Sequence, residues 1–262
     1  MADIKYIIPF TYKWEGGLSN AKTDSASANP SPYIYKGVGG WHTNKGVTYP
    51  VFKAGASKYG YADTSDNFLT MPEDIWLKIA KGGFWDKLNL DTLKSQAVAN
   101  VLFSWQWGSG YGWITRVSDY LKSKGINWVG GTWVGKTLKL NPDFNQISAK
   151  INELIDKQGE KKTFDDFIDL KKQFLLSIGE KSNPKTPKAP DGIYTKGWMN
   201  RLADLQNYSA TLLGKASQNI ANSTTKVVDE VKKKPLTTII LTSLLIVSGY
   251  LIYNYGIKKQ KP

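Results

Sequence analysis

Glu15 closes an apolar run that begins at Ile4 and is followed at once by two glycines, Gly16 and Gly17. A second glycine-rich stretch, VGGWHTNKGVT, occupies residues 38–48. A lone acid at the end of a helix, opening onto backbone that can approach a ligand closely, suits the cleavage of a polysaccharide. The acid protonates a glycosidic oxygen while positive charge develops at the sugar carbon. That chemistry ordinarily takes a second carboxylate, about 5–5.5 Å away as a nucleophile or about 6.5–9.5 Å away as a base for water. Asp24 is the acid of the polar loop at 18–36 and the candidate for this role; the alternative is that it only caps the loop. Thr48 and Tyr49 are expected to orient water or substrate. Gly16, Gly17, Gly39 and Gly40 are expected at positive φ or in close approach to a ligand.

Other chemistries are excluded by residue type. The chain has no cysteine, hence no disulfide, thiolate metal site or cysteine nucleophile. Its single histidine, His42, rules out a multi-histidine metal site and reads as a hydrogen-bonded ring rather than a catalyst. No metal and no cofactor is expected.

Several helices have to position these residues. Residues 4–15 read as a short helix with Pro9 in its first turn and Gly16 as a left-handed stop. Residues 46–60 read as another, with Thr48 as N-cap and Pro50 just inside. Thr70 and Glu73 match a capping box that opens a helix burying Ile75, Trp76 and Ile79, stopped at Gly82 and Gly83. Residues 94–107 read as a buried central helix ended by Gly108 and Gly110. Helices follow at 113–122, 145–157 and 163–178, the last ended by Gly179. A glycine-rich turn lies at 125–135. Residues 194–231 read as one long helix. Few stretches alternate apolar and polar residues, so the fold is expected to be all-α.

The chain of 262 residues carries a net charge of +13. Only two of its 35 basic residues are arginine, Arg116 and Arg201. Arginine is the preferred reader of bases and phosphates, so a nucleic-acid partner is not expected. Ten Trp and fourteen Tyr offer flat faces for sugar rings, although most large aromatics belong in the core. Met1-Ala2-Asp3 lacks the basic start of a signal peptide. Near the other end, Leu236–Tyr253 is uncharged over 18 residues, and the run extends to Ile257. That length spans about 30 Å of hydrocarbon. Lysines flank it on both sides and Tyr250, Tyr253 and Tyr255 suit an interfacial belt. A single C-terminal transmembrane helix at 236–257 is therefore expected, after a polar helical stalk at 208–235 and before a basic tail at 258–262.

Three motifs in order, Glu15-Gly16-Gly17, then Gly39-Gly40 with Thr43-Asn44-Lys45-Gly46-Val47-Thr48, then Lys196-Gly197-Trp198-Met199-Asn200-Arg201, resemble the N-acetylmuramidases of glycoside hydrolase family 108. The glycine-rich stretch at Trp133–Leu138 is similar to a turn of that family, and the likeness runs from residue 3 to about 207. The resemblance implies a mainly helical, lysozyme-like domain over 1–207 that cleaves the β-1,4 bond between N-acetylmuramic acid and N-acetylglucosamine. It assigns Glu15 as catalytic acid. Substrate contacts are then expected from Gly16, Gly17, Gly40, Thr43, Thr48, Tyr49 and Trp107. The partners implied are peptidoglycan strands, a lipid bilayer and, for a phage-encoded protein, virion proteins. The protein would sit in a host inner membrane or in the internal membrane of a lipid-containing virion. Two alternatives stand beside this: a lytic transglycosylase acting on the same bond, and a non-catalytic wall-binding or structural membrane protein of a virion.

Overall fold

The computed structural model describes residues 1–22, 24–180 and 193–215, which fall within one compact unit, Met1–Ala216. It is mostly helical with two small antiparallel hairpins. The helices are α1 (Ile8–Trp14), α2 (Tyr49–Tyr59), α3 (Ser65–Thr70), α4 (Glu73–Ala80), α5 (Gln96–Ser109), α6 (Ile114–Ser123), α7 (Ile147–Gln158), α8 (Glu160–Glu180) and α9 (Ile193–Ala210). The hairpins are β1 (Thr43–Asn44) with β2 (Val47–Thr48), and β3 (Gly131–Val134) with β4 (Thr137–Leu140).

Helix α5 is the hub. Every residue from Gln96 to Trp107 is buried, and α8 and α9 pack against it. Ser95 caps it by accepting from the Val98 N–H, and Gly110, at φ 54°, ends it. A helix buried all round carries apolar side chains on every face; here the exceptions are Gln96, Asn100, Ser104 and Gln106, each of which is hydrogen-bonded. Trp76, Trp85, Trp105 and Trp113 are wholly buried. Each such ring withdraws roughly 150–250 Å² from water, about 4–6 kcal/mol before entropy is counted. Most of the tryptophans thus serve the core and not a ligand.

The structure departs from expectation at several joints. Glu15 is not in the last turn of α1. It is the C-cap, in extended backbone (φ −89°, ψ 127°), and its N–H donates to Thr11 O. Gly16 is not left-handed. Thr70 caps nothing: it is the last residue of α3, and its hydroxyl donates back to Asp66 O. Pro72 holds the N-cap of α4. The chain does not stop at Gly82 and Gly83 but continues through a π turn, Lys81–Trp85. Helix α8 likewise runs past Gly179 to Glu180. The stretch read as a glycine-rich turn contains the β3–β4 hairpin, folded at Gly135 (φ 61°), so the domain is not purely helical.

Helix α9 ends at Ala210 instead of running to 231. Tyr208 lies against Phe10 and hydrogen-bonds Tyr6 O, while Ser209 and Leu212 are buried, so the packed body passes residue 207. Among the described residues no helix is long and apolar enough to cross a membrane. The remainder of the expected stalk, the 236–257 segment and the basic tail lie outside them.

Candidate active site

A cleft of about 480 Å³ opens beside the end of α1. Glu15 and Asp24 line it, with Thr43, Gly46 and Thr48 of the first hairpin, Trp107 and Gly108 of α5, and Arg201 of α9.

Glu15 is held from two sides. Trp107 Nε1 donates to Oε1 at 2.9 Å, and Arg201 Nη2 donates to the same oxygen at 2.6 Å. The Glu15 side chain is only 11% exposed. Among the described residues, both hydrogen bonds to this carboxyl end on Oε1. Oε2 lies over Gly46, where an added Cβ would stand 2.3 Å from it.

Each donor is itself fixed. Trp107 stacks on Phe103 with 5.7 Å between ring centres and tilts against Trp76 and Phe84. Such packing leaves the indole one orientation. Arg201 sits on α9, and one turn further on the same helix Asp204 accepts from Trp14 Nε1 at 2.6 Å and from Lys13 Nζ at 2.8 Å. Those hydrogen bonds, Lys13 first and then Trp14, hold the Asp204 carboxyl below the ordinary carboxylate range. Helix α9 therefore grips the last residues of α1 and the acid that follows them.

The hairpin forms the facing wall. Lys45 (φ 45°) and Gly46 (φ 77°) fold it as a two-residue turn with both central residues left-handed, the primed kind that matches strand twist. Asn44 is buried and donates to Phe68 O and Leu69 O at 2.8 Å each; Lys45 Nζ donates to Met71 O, and Trp76 Nε1 to Lys45 O. These bonds fasten the turn to α3 and α4, which is what keeps Gly46 against Glu15.

The structure brings together Glu15, Asp24, Thr43, Thr48 and Trp107. Asp24 is exposed, and its Oδ1 accepts from Ala26 N at 2.9 Å, so it caps the 3-10 turn Ser25–Ala28 and also lines the cleft. Thr48 is the N-cap residue of α2 by position, without a side-chain cap bond. Four expected contacts fail in their reasons or in place. Gly16 and Gly17 are exposed, lack positive φ, line no part of the cleft, and an added Cβ at either would meet nothing within 4 Å. Gly40 does have φ 78°, but it is exposed and away from the cleft. Tyr49 faces the core, where it meets Phe68 edge-on and donates to Asp63 at 3.2 Å. His42 is fully buried and hydrogen-bonded to Thr43 Oγ1 and Ala21 O, a structural ring.

Arg201 and Gly46 are the site residues that sequence reasoning missed. Both stood inside quoted motifs. The scarcity of arginine in so basic a chain was the available signal for the first, and the Asn-Lys-Gly turn the signal for the second. A further buried cation lies nearby: Lys171 of α8 donates to Ser104 Oγ at 2.8 Å. Burial, then the charge of Arg201, holds its ammonium well below the ordinary lysine range. Among the described residues, no group of three His, Cys, Asp or Glu side chains is placed to hold a metal ion.

Among curated proteins no sequence matches the chain. A solved structure of Brucella abortus SagA is similar at 14% identity, with a TM-score of 0.49, over 80% of this chain and 94% of that one. The profile of the family described as Glycosyl hydrolase 108 matches residues 8–110, from α1 through the hairpin to the end of α5. Those residues supply every wall of the cleft except Arg201, and the chain is a glycoside hydrolase.

Proposed function

We propose that this hydrolase is an N-acetylmuramidase, with Glu15 as its general acid. The observation that carries the reading is the arrangement of the Glu15 carboxyl: nearly buried, held through Oε1 by two donors, with Oε2 left at the cleft beside Gly46. Two donors on one oxygen leave the other to carry the proton. Oε2–H protonates the glycosidic oxygen, and the bond to the sugar carbon breaks as that carbon gains positive charge. Trp107 and Arg201 keep the carboxyl from turning, which maintains the geometry that proton transfer requires. Asp24, exposed in the same cleft, is the proposed base for the attacking water, using the oxygen that does not cap Ala26. Thr43 and Thr48 offer hydroxyls to the sugar.

The lysozyme-like character of the fold belongs to this reading, as does the wall glycan as substrate, for which the family match gives support. The uncharged run Leu236–Tyr253 anchors the enzyme in a membrane, and a phage that lyses its host, or opens the wall at infection, is the setting that such an anchored wall hydrolase fits.

A second reading has its own observation. Asp24 is exposed and already caps a turn, whereas Glu15 is the cleft's one shielded carboxylate. A single buried acid also suits a lytic transglycosylase, which closes the muramoyl ring on its own hydroxyl. Mass spectrometry of soluble fragments from purified wall separates the two. Hydrolysis leaves reducing muramic acid ends; transglycosylation leaves 1,6-anhydro ends, one water lighter. Absence of any fragments would end both readings.

A further inference from the structure

We propose that Arg201 is the seat for a carboxylate carried by the substrate, so that the cleft selects acidic wall glycan over a neutral glycan of the same backbone. The proposal rests on the muramidase reading of the cleft and deepens it.

Among the described residues, Arg201 is the only cation that lines the cleft. The other two charged lining residues, Glu15 and Asp24, are both acids. For an anionic substituent entering this space, the guanidinium is the lining group of opposite charge. The residue type is informative too. Nearly all of the chain's positive charge is lysine, yet here it is arginine, whose planar fork of five donors receives a carboxylate with two parallel hydrogen bonds. Among the described residues, Arg201 makes a single hydrogen bond, through Nη2 to Glu15 Oε1 at 2.6 Å. Its side chain is 24% exposed, so the fork can be approached from the cleft.

Charged groups face Arg201 from each element packed around it. Glu15, the C-cap residue of α1, is bonded to it, and Asp24 lines the same cleft. From α8 comes Lys171, buried and donating to Ser104 of α5. On α9 itself Asp204 is engaged with Lys13 and Trp14, so the carboxylate that Arg201 meets is Glu15 and not Asp204. A wall glycan carries the matching group on its muramic acid, as the lactyl carboxylate where the peptide is absent, or on the peptide branch where the lactyl group is amide-linked. An oligomer of N-acetylglucosamine has the same β-1,4 backbone and no such charge. Once a substrate carboxylate takes part of the fork, Glu15 keeps Trp107 as its positioning donor.

The test is calorimetric titration of the full chain carrying Glu15→Gln, which prevents turnover. Three ligands of equal glycan length are compared: peptide-free wall glycan, peptide-bearing wall glycan, and N-acetylglucosamine oligomer. The expected result is binding about tenfold tighter for at least one acidic glycan than for the neutral oligomer, a preference that shrinks as salt is raised. Which acidic glycan gains tells the lactyl carboxylate from the peptide one. Adding Arg201→Gln should bring all three ligands to within about twofold, and Arg201→Lys should restore part of the preference. Equal affinity for acidic and neutral glycans in the Glu15→Gln chain overturns the proposal and leaves the muramidase reading standing. So does a preference that survives Arg201→Gln. Should that variant fail to fold, the comparison of ligands and its salt dependence in the Glu15→Gln chain alone decide the matter. Binding of none of the three overturns the glycan-cleft reading itself and the proposal with it.

Discussion

At the scale of the residue, the site is one carboxyl group with its two oxygens given different work. Trp107→Phe removes one of the two donors to Oε1 while keeping the aromatic packing on Phe103. Hydrogen bonds to charged groups contribute about 1.5–3 kcal/mol, so wall turnover by this variant should fall by roughly ten- to a hundredfold with the fold intact. Gly46→Ala tests the other oxygen. Its Cβ would stand 2.3 Å from Oε2, on backbone at φ 77°, so the carboxyl has to shift. Turnover should drop about a hundredfold, whereas Gly17→Ala, with open space around it, should leave turnover unchanged. Equal rates for the two glycine variants would refute the placement of Oε2. Much of this was legible beforehand. Glu15 stands out because it closes a helix before two glycines, and Thr43, Thr48 and Trp107 lie with it along the cleft. The glycines next to Glu15 were misread, since proximity in sequence says nothing of which backbone returns to touch the side chain. Gly46 does so through a hairpin whose two-residue strands are too short to show any alternation.

At the scale of the element, α9 is the clamp on α1. Asp204 ties Trp14 and Lys13 while Arg201 ties Glu15. Because the Asp204 carboxyl is held below its ordinary range, its contribution to stability is complete above its unfolded pKa, about 3.9, and is lost as pH falls through its lower folded value. Asp204→Asn should therefore destabilise the protein at pH 7 and change its stability little near pH 2, as read by denaturant unfolding at both values. Equal effects at the two pH values would show that the carboxylate charge has no part in the clamp. The helices themselves were largely foreseen: α2, α5, α6 and α7 fall where apolar periodicity and caps put them. The joints were not. Thr70 and Glu73 have the capping-box spacing, yet Met71 at φ 44° breaks the chain between two helices there. Gly82 and Gly83 look like a stop, but the buried Trp85 beyond them draws the chain through a π turn. Tertiary burial outweighs the roughly 1 kcal/mol that glycine costs in a helix.

At the scale of the whole molecule, the body that holds the cleft extends to Ala216, and the proposed anchor begins beyond it. If Leu236–Tyr253 spans a bilayer, the full chain should remain with membranes through an alkaline carbonate wash and be released by detergent. Release by carbonate alone would remove the anchor from the account while leaving the cleft chemistry untouched. The long-range closure of the site, with Arg201 reaching Glu15 across 186 positions of sequence, is the part that no local pattern could reveal. Helix α9, packed against α5 and α8, is what brings that cation to the acid. The central claim is that the Glu15 carboxyl is the proton donor in cleavage of the wall glycan, and it is tested most directly by the rate at which the full chain carrying Glu15→Gln releases soluble fragments from purified wall. Glutamine keeps the acceptor for Trp107 and Arg201 but has no proton of suitable acidity to give. The expected rate is lower by roughly 10²–10⁴-fold with Tm within about 4 °C of the unsubstituted protein; a folded Glu15→Gln protein that releases fragments at the unsubstituted rate would rule out Glu15 as the proton donor.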